Sequence, residues 1–219
     1  MRRREQRDQA GSLIRKSRVL EKAEALFWQK GYESTTIKDI ASACGCRPAN
    51  IYNYFKSKED ILYGVINDIT SQAVDLVKPL GEDETTSPVQ LLRSLIKTHF
   101  RFLASMKQTI VFITDTGLRD LSPEHRRAII SLRKTYDDVL LKILRRGRKS
   151  GDFADLDERI VGYLIPSLIV RSNVWFSAKG RLTADEISDI IFRLVYLGIK
   201  PRNDSAAYGV DRLPASDAS

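Results

Sequence analysis

Cysteine is almost missing from this 219-residue chain: there are two, Cys44 and Cys46, one residue apart. That spacing closes no useful disulfide loop and falls short of the ligand sets that hold structural zinc. The pair is expected as two small, half-buried residues at a turn, and neither a metal site nor a cofactor is expected. Histidine is equally scarce, with His99 and His125 in separate helical stretches and no H-E-x-x-H or G-x-S-x-G pattern near either. Gly147 and Gly151 lack the spacing of a phosphate loop. An enzyme is therefore not expected. No apolar run approaches the roughly 20 residues of a membrane span, and no apolar stretch of signal-peptide type follows the basic start Met1-Arg2-Arg3-Arg4. The expectation is a cytoplasmic chain without a membrane partner. Strand-type alternation and internal repeats are absent too, so the expected fold class is all-α.

What the chain does have is positive charge, unevenly placed. The formal net charge is +8. Residues 1–62 carry 13 Lys and Arg against 8 Asp and Glu, while the remaining 157 carry 23 against 20. Charge concentrated in the first quarter favours a polyanion, either a phosphate backbone or an anionic membrane surface.

Residues 1–11 read as a basic flexible arm. Arg2, Arg3, Arg4 and Arg7 could add electrostatic affinity for DNA or simply solubilise the chain. A helix is expected from Ser12 to about Lys30, ended by Gly31 at the C′ position. Thr35 or Thr36 caps a short helix, Ile37 to Cys44, and Gly45 breaks it. Pro48 suits the first turn of the next helix, which runs to about Phe55. Ser57 caps a longer helix with the stripe Ile61, Leu62, Val65, Ile69, Ala73 and Val77, expected to stop at Pro79. An acidic loop at 80–87 reads as the clearest internal joint. Five more helical stretches follow at about 88–105, 108–117, 123–150, 156–178 and 183–199, and a disordered tail is expected over 200–219.

Two short helices around Gly45-Cys46 have the length and turn of a helix-turn-helix. The second should turn Ile51 and Phe55 inward and present Arg47, Ala49, Asn50, Asn53 and Tyr54. Asn can bond adenine with two hydrogen bonds, Arg can do so with guanine, and Ala can meet a thymine methyl. Pro48 opens this helix at the edge of the reading face. Thr36 at a helix N-terminus, with Tyr52, Tyr54 and Lys58 on the flanks, completes the set of candidate phosphate contacts.

These residues carry a family resemblance. The run from Gly31 through Thr35-Thr36-Ile37-Lys38-Asp39-Ile40-Ala41, then Cys44-Gly45-Cys46, then Ile51-Tyr52-Asn53-Tyr54-Phe55-Lys56-Ser57-Lys58-Glu59, closely resembles the DNA-binding head of the TetR family of bacterial repressors. The resemblance covers residues 12–62. It implies a TetR-like all-α homodimer of about nine helices per subunit, with a helix-turn-helix head at 12–57 and an effector-binding and dimerisation domain at 58–199. It also implies a repressor bound to double-stranded operator DNA and released by a small-molecule effector. One departure matters: the family usually places Ser or Thr as the cap of the recognition helix, whereas Arg47-Pro48 stands here.

The segment Asn173-Val174-Trp175-Phe176 through Glu186-Ile187 resembles TetR-type regulators that sense acyl-CoA thioesters. An acyl-CoA effector and another apolar or aromatic ligand both remain open at this point, as does activation in place of repression. Candidate effector contacts are Phe102, Phe112, Tyr163, Arg171, Asn173 and Trp175. Arg101, Arg145 and Arg148 are further cations for a CoA pyrophosphate. Pro166 should shape either the pocket or the dimer seam. The seam is expected on the last two helices, with Ile187, Ile191 and Leu194 on an apolar face that also holds Ile190 and Leu197. A helical adaptor or membrane-surface protein would explain the charge but would give the Asn50–Tyr54 face no purpose.

Overall fold

Strong helix formers open the chain, and they decide where it first departs from expectation. The computed structural model describes residues 2–106 and 118–201, with side chains from Lys16 onward except at 173 and 174. Helix α1 spans Arg2–Lys30, ten residues earlier than the Ser12 start. Arg, Glu, Gln and Ala dominate those residues and favour helix, and the single Gly11 costs only about 1 kcal/mol. The side chains of Arg2, Arg3, Arg4 and Arg7 lie outside the described residues.

The remaining elements are α2 (Ile37–Cys44), α3 (Pro48–Tyr52), α4 (Lys58–Glu82), α5 (Pro88–Ser105), α6 (Pro123–Ser150), α7 (Glu158–Trp175) and α8 (Ala184–Ile199). Among the described residues there are thus eight helices and no strands. The helix expected at 108–117 and most of the tail expected at 200–219 lie outside the described residues. The expected cap Ser57 accepts a backbone N–H three residues on, as Ser122 and Thr183 do at later helices, and the expected Gly31 and Gly45, with Gly151, adopt left-handed φ of 82°, 67° and 80°.

Pro79 does not stop α4, which continues to Glu82. The ring removes one donor near the helix end, but Gly81 is buried so close to α6 that a Cβ there would stand 3.1 Å from Val139, and the Asp83 N–H closes onto the Pro79 carbonyl at 3.1 Å. The acidic loop that follows is fastened: the Arg146 guanidinium donates to the carbonyls of Asp83, Glu84 and Thr86 at 2.5, 3.0 and 2.9 Å.

Two cores form. The first joins Val19, Ala23 and Phe27 of α1 to Ile40 and Ala41 of α2, Ile51 of α3, Phe55, and Ile61, Leu62 and Ile66 of α4. Cys44 and Cys46 are free, half-buried and packed against it. Leu118, Leu121 and Ile129 also belong to this core, so residues from beyond α5 close the underside of the head. The second core gathers Leu91, Leu92, Leu95, Ile96 and Phe100 of α5 with Leu140 and Ile143 of α6, Ile165 and Ile169 of α7, and Ile187, Ile191 and Val195 of α8. Helix α4 contributes to both.

Candidate nucleic-acid interface and effector cavity

The head assembles as its local sequence dictates. Thr35 is fully buried, its hydroxyl donating to the Gly31 carbonyl at 2.8 Å, which pins the turn between α1 and α2. Gly45 ends α2 in the left-handed conformation, and Pro48 starts α3 three residues later. Ile51 and Phe55 then point into the head core. The opposite face presents Arg47, Ala49, Asn50, Tyr52 and Asn53 to solvent, with Pro48 half-buried at its edge. Arg47 occupies the N-cap position without a side-chain capping bond, so its guanidinium is left to the outer surface. Tyr54 is half-buried against the head core.

Two of the expected phosphate contacts also make bonds within the head. Thr36 builds a capping box: its Oγ1 accepts the Asp39 N–H at 3.2 Å and donates to Asp39 Oδ2 at 2.7 Å, and its own N–H donates to the same carboxylate at 2.9 Å. These bonds from Thr36, with Lys30 behind them, pull the Asp39 carboxyl down to about 2. The anion that the N-terminus of α2 attracts is therefore Asp39 itself. Lys58 donates to the carbonyls of Tyr32 and Glu33 at 2.8 and 3.1 Å, and its ammonium lies 4.3 Å from the Tyr32 ring centroid. It ties the start of α4 to the turn after α1, with two of its three donors spent inside the head.

Just behind the head, α4 meets the start of α6. Glu59 Oε1 accepts the Ser122 N–H at 3.0 Å and sits 2.7 Å from His125 Nδ1, while the His125 ring stacks on Tyr63 at 4.0 Å between centroids. Burial alone would raise the Glu59 carboxyl, but the Ser122 N–H and His125 outweigh it and hold it below the usual range. Arg126 satisfies the carbonyls of Leu118, Arg119 and Leu121 nearby. Among the described residues, Glu59, Asp60 and His125 are the group of metal-type ligands that come within 4.8 Å of one another. The 2.7 Å separation is a hydrogen bond, so this cluster is read as a latch. The sequence offered no pattern for it, because its partners lie more than 60 residues apart.

A cavity of about 420 Å³ opens among four helices. Its walls are Ile69, Thr70, Ala73 and Val74 of α4, His99, Phe102 and Leu103 of α5, Arg133, Tyr136 and Asp137 of α6, and Pro166, Ser167, Val170 and Arg171 of α7. Of the six candidate effector contacts, Phe102 and Arg171 line it. Phe112 and the side chain of Asn173 lie outside the described residues. Tyr163 and Trp175 are 64% and 62% exposed and line no wall of the cavity. Both lie on α7, whose inward face belongs to Ile165 and Ile169. The other arginines are committed to ion pairs: Arg101 with Asp185, Arg145 with Glu158 and Arg148 with Asp155. Arg171, exposed at the cavity wall, forms no ion pair or hydrogen bond among the described residues. Sequence reasoning missed His99 and Tyr136. Their signal was a polar side chain repeating at helical spacing on an apolar face, as in Leu92, Leu95, His99 and Leu103.

The expected seam is also corrected. Ile187 and Ile191 are 5% and 6% exposed and belong to the subunit's own core, whereas Leu194 is 62% exposed. The outward apolar face is Ile160, Tyr163, Leu164 and Leu168 of α7 with Ile190, Leu194 and Leu197 of α8. A turn of about 100° per residue separates the two sets, since i and i+3 or i+4 share a face and i+1 does not.

A three-helix head with an exposed amide-and-arginine helix, joined by one long helix to a bundle with an internal cavity, defines a class: a helix-turn-helix transcriptional regulator. Residues 19–64 match the model of the bacterial regulatory proteins of the tetR family, and residues 85–199 match that of the tetracyclin repressor-like C-terminal domain. The chain belongs to the TetR family, and it is a transcriptional repressor with a DNA-binding head, not an enzyme. It is similar to the HTH-type transcriptional repressor KstR2 of Mycobacterium tuberculosis, 27% identical over 84% of this chain and 92% of that protein. The fatty acid metabolism regulator protein of Bacillus subtilis is 26% identical over 83% and 93%. Among solved structures, the TetR-family regulator PfmR of Thermus thermophilus superposes with a TM-score of 0.75 at 32% identity, over 82% of this chain and 97% of that one. No helix among the described residues is long and apolar enough to cross a membrane.

Proposed function

We propose that this repressor binds a palindromic operator as a homodimer and is released when an amphipathic small molecule, an acyl-CoA thioester, enters the four-helix cavity. The observation that carries this reading is that α4 belongs to both sites. Its first turns are packed into the head core through Ile61, Leu62 and Ile66, and its middle supplies Ile69, Thr70, Ala73 and Val74 to the cavity wall. A ligand that displaces this wall moves the lever on which the recognition helix rests. Release requires only that the ligand bind the non-DNA conformation better, and that difference limits the response.

Size and chemistry support the ligand class. About 420 Å³ falls within the range of small-molecule sites, and the walls are mainly aliphatic and aromatic. An acyl chain matches those walls, while the unpaired Arg171 suits the anionic part of the molecule. The relative named for fatty acid metabolism points the same way.

For the dimer, the outward apolar face of α7 and α8 is the support, because exposed large apolar side chains grouped on one face mark association surfaces. Two heads would then read half-sites about one helical turn, roughly 34–36 Å, or a multiple apart. Arg47, Ala49, Asn50 and Asn53 carry the base contacts in this reading, with Tyr52 and Tyr54 at the flanks. The test is a titration of acyl-CoA thioesters into the protein–operator complex, with free CoA and the free acids as controls. Dissociation by thioesters alone is the expected result. If apolar or aromatic compounds dissociate the complex and no thioester does, the effector class is wrong and the cavity reading stands.

A further inference from the structure

His99 is 8% exposed in a cavity wall that is otherwise largely apolar. Its Nδ1 lies 2.8 Å from the hydroxyl of Tyr136, itself 7% exposed and part of the same wall. The second ring nitrogen, Nε2, forms no hydrogen bond among the described residues, yet it is not among their buried unsatisfied atoms. It therefore keeps contact with the cavity space that the ring borders. A ring nitrogen left accessible in such a wall is free to bond a polar atom of whatever fills the cavity.

We propose that His99 and Tyr136 form a hydrogen-bonding dyad that reads one uncharged oxygen, a carbonyl or a hydroxyl, on an otherwise apolar effector. The inference rests on the reading of this cavity as the effector site. The proton count supports it. Burial draws the His99 pKa down to about 4, so the ring carries a single proton at neutral pH, and burial likewise keeps the Tyr136 phenol protonated. One of these two protons is spent on the bond between them. If Tyr136 donates, His99 Nε2–H remains as a donor and the phenol oxygen as an acceptor. If His99 donates, the phenol O–H remains as the donor and Nε2 as the acceptor. Either tautomer offers the cavity one donor beside one acceptor. A ketone or thioester oxygen takes the donor, and a hydroxyl uses both. A carboxylate gains nothing from a neutral dyad that a carbonyl would not, and desolvating a charge is far more costly than desolvating a carbonyl. Its place is at the arginines of the wall, Arg133 and Arg171. The site thus selects a molecule by the position of a neutral oxygen along an apolar skeleton.

Two matched pairs of probes test this by calorimetry on the full chain: decanoyl-CoA with its S-decyl thioether, which lacks the carbonyl oxygen, and cyclodecanone with cyclodecane. The expected result is that the wild type prefers the oxygen-bearing member of at least one pair by about tenfold, the factor that one buried hydrogen bond supplies. Tyr136→Phe removes the bond that fixes the tautomer and orientation of the ring and should weaken the preference. His99→Asn keeps an amide near the Nδ1 position, and so the bond to Tyr136, but deletes Nε2; it should erase the preference. His99→Gln places an amide near Nε2 and should retain part of it. A merely structural pair would show the opposite order, with Asn harmless and Gln damaging. Equal binding within both pairs, or a preference that survives in His99→Asn and Tyr136→Phe, overturns the dyad while leaving the cavity as the effector site. Failure of all four probes to bind overturns the dyad, and the cavity reading falls with it if no apolar or aromatic compound dissociates the operator complex either.

Discussion

The head and the effector cavity are built on opposite principles. Every side chain on the outer face of α3 comes from a run of seven residues, Arg47–Asn53, held by turns and caps that are themselves local. The cavity draws its walls from four helices, with residues from Ile69 to Arg171. The DNA-reading surface is consequently a property of a short motif and its cap residues, whereas the ligand site is a property of how distant helices pack. Among the described residues α4 and α6 each reach both, α6 through Ile129 in the head core and Tyr136 in the cavity wall, and the comparison can be broken at several points.

The largest effect is expected from the head core. Phe27 is fully buried, and Phe27→Ala should cost about 3–5 kcal/mol. Because Leu118, Leu121 and Ile129 share that core, melting followed by circular dichroism should remain a single transition at lower temperature. A separate low-temperature transition of the head alone would show that the two regions are less coupled than the packing implies.

Next is the outward apolar face. Leu194→Glu should yield monomers by light scattering, with operator binding weakened by the loss of the second head. Ile191→Glu buries a charge in the subunit core and should instead prevent folding. Folded monomers from both variants would contradict the division of α8 into an inner and an outer face.

Lys58 and Asn50 then separate structure from readout. Lys58→Met removes charge-assisted bonds to two carbonyls and should lower stability by about 1.5–3 kcal/mol, with little change in base preference. Asn50→Ala or Asn53→Ala should leave melting unchanged and reduce discrimination against altered operators by about 1–3 kcal/mol. If Lys58→Met flattened the salt dependence of DNA binding without any loss of stability, its role would be a phosphate contact after all.

The smallest expected effect is at the latch. Glu59 titrates below its unfolded value, so the stability it contributes is present above the unfolded carboxyl pKa of about 4.3 and is lost as pH falls through the lower folded value. Stability measured from pH 6 down to 3 should therefore fall less steeply for Glu59→Gln than for the wild type. Identical slopes would remove the latch from the account of how the two regions are joined.

Much of the fold was legible because its signals are local: Gly31, Gly45 and Gly151 at helix ends, hydroxyl caps at Ser57, Ser122 and Thr183, and apolar stripes at helical spacing. The reader helix was legible for the same reason, since Ile51 and Phe55 settle which face is left for Arg47, Asn50 and Asn53. Local signals also misled. Pro79 marks a stop only if nothing beyond it is worth packing, and Gly81 against Val139 supplied that contact. At Thr36 and Lys58 the sequence showed the chemistry of phosphate contacts and not the bonds that both make within the head, to Asp39 and to two backbone carbonyls.

Periodicity identifies an apolar face without saying what covers it, so the sequence by itself determined that this is an all-helical regulator with an N-terminal DNA reader. Which of Ile187, Ile191 and Leu194 faces the subunit's own core, which of the candidate arginines meet carboxylates among the described residues, and that His99 meets Tyr136 inside a cavity were decided only by the tertiary structure. Each depends on the rotation and approach of helices separated by tens of residues, and the free energy of those contacts belongs to the pair of surfaces, which neither segment carries alone.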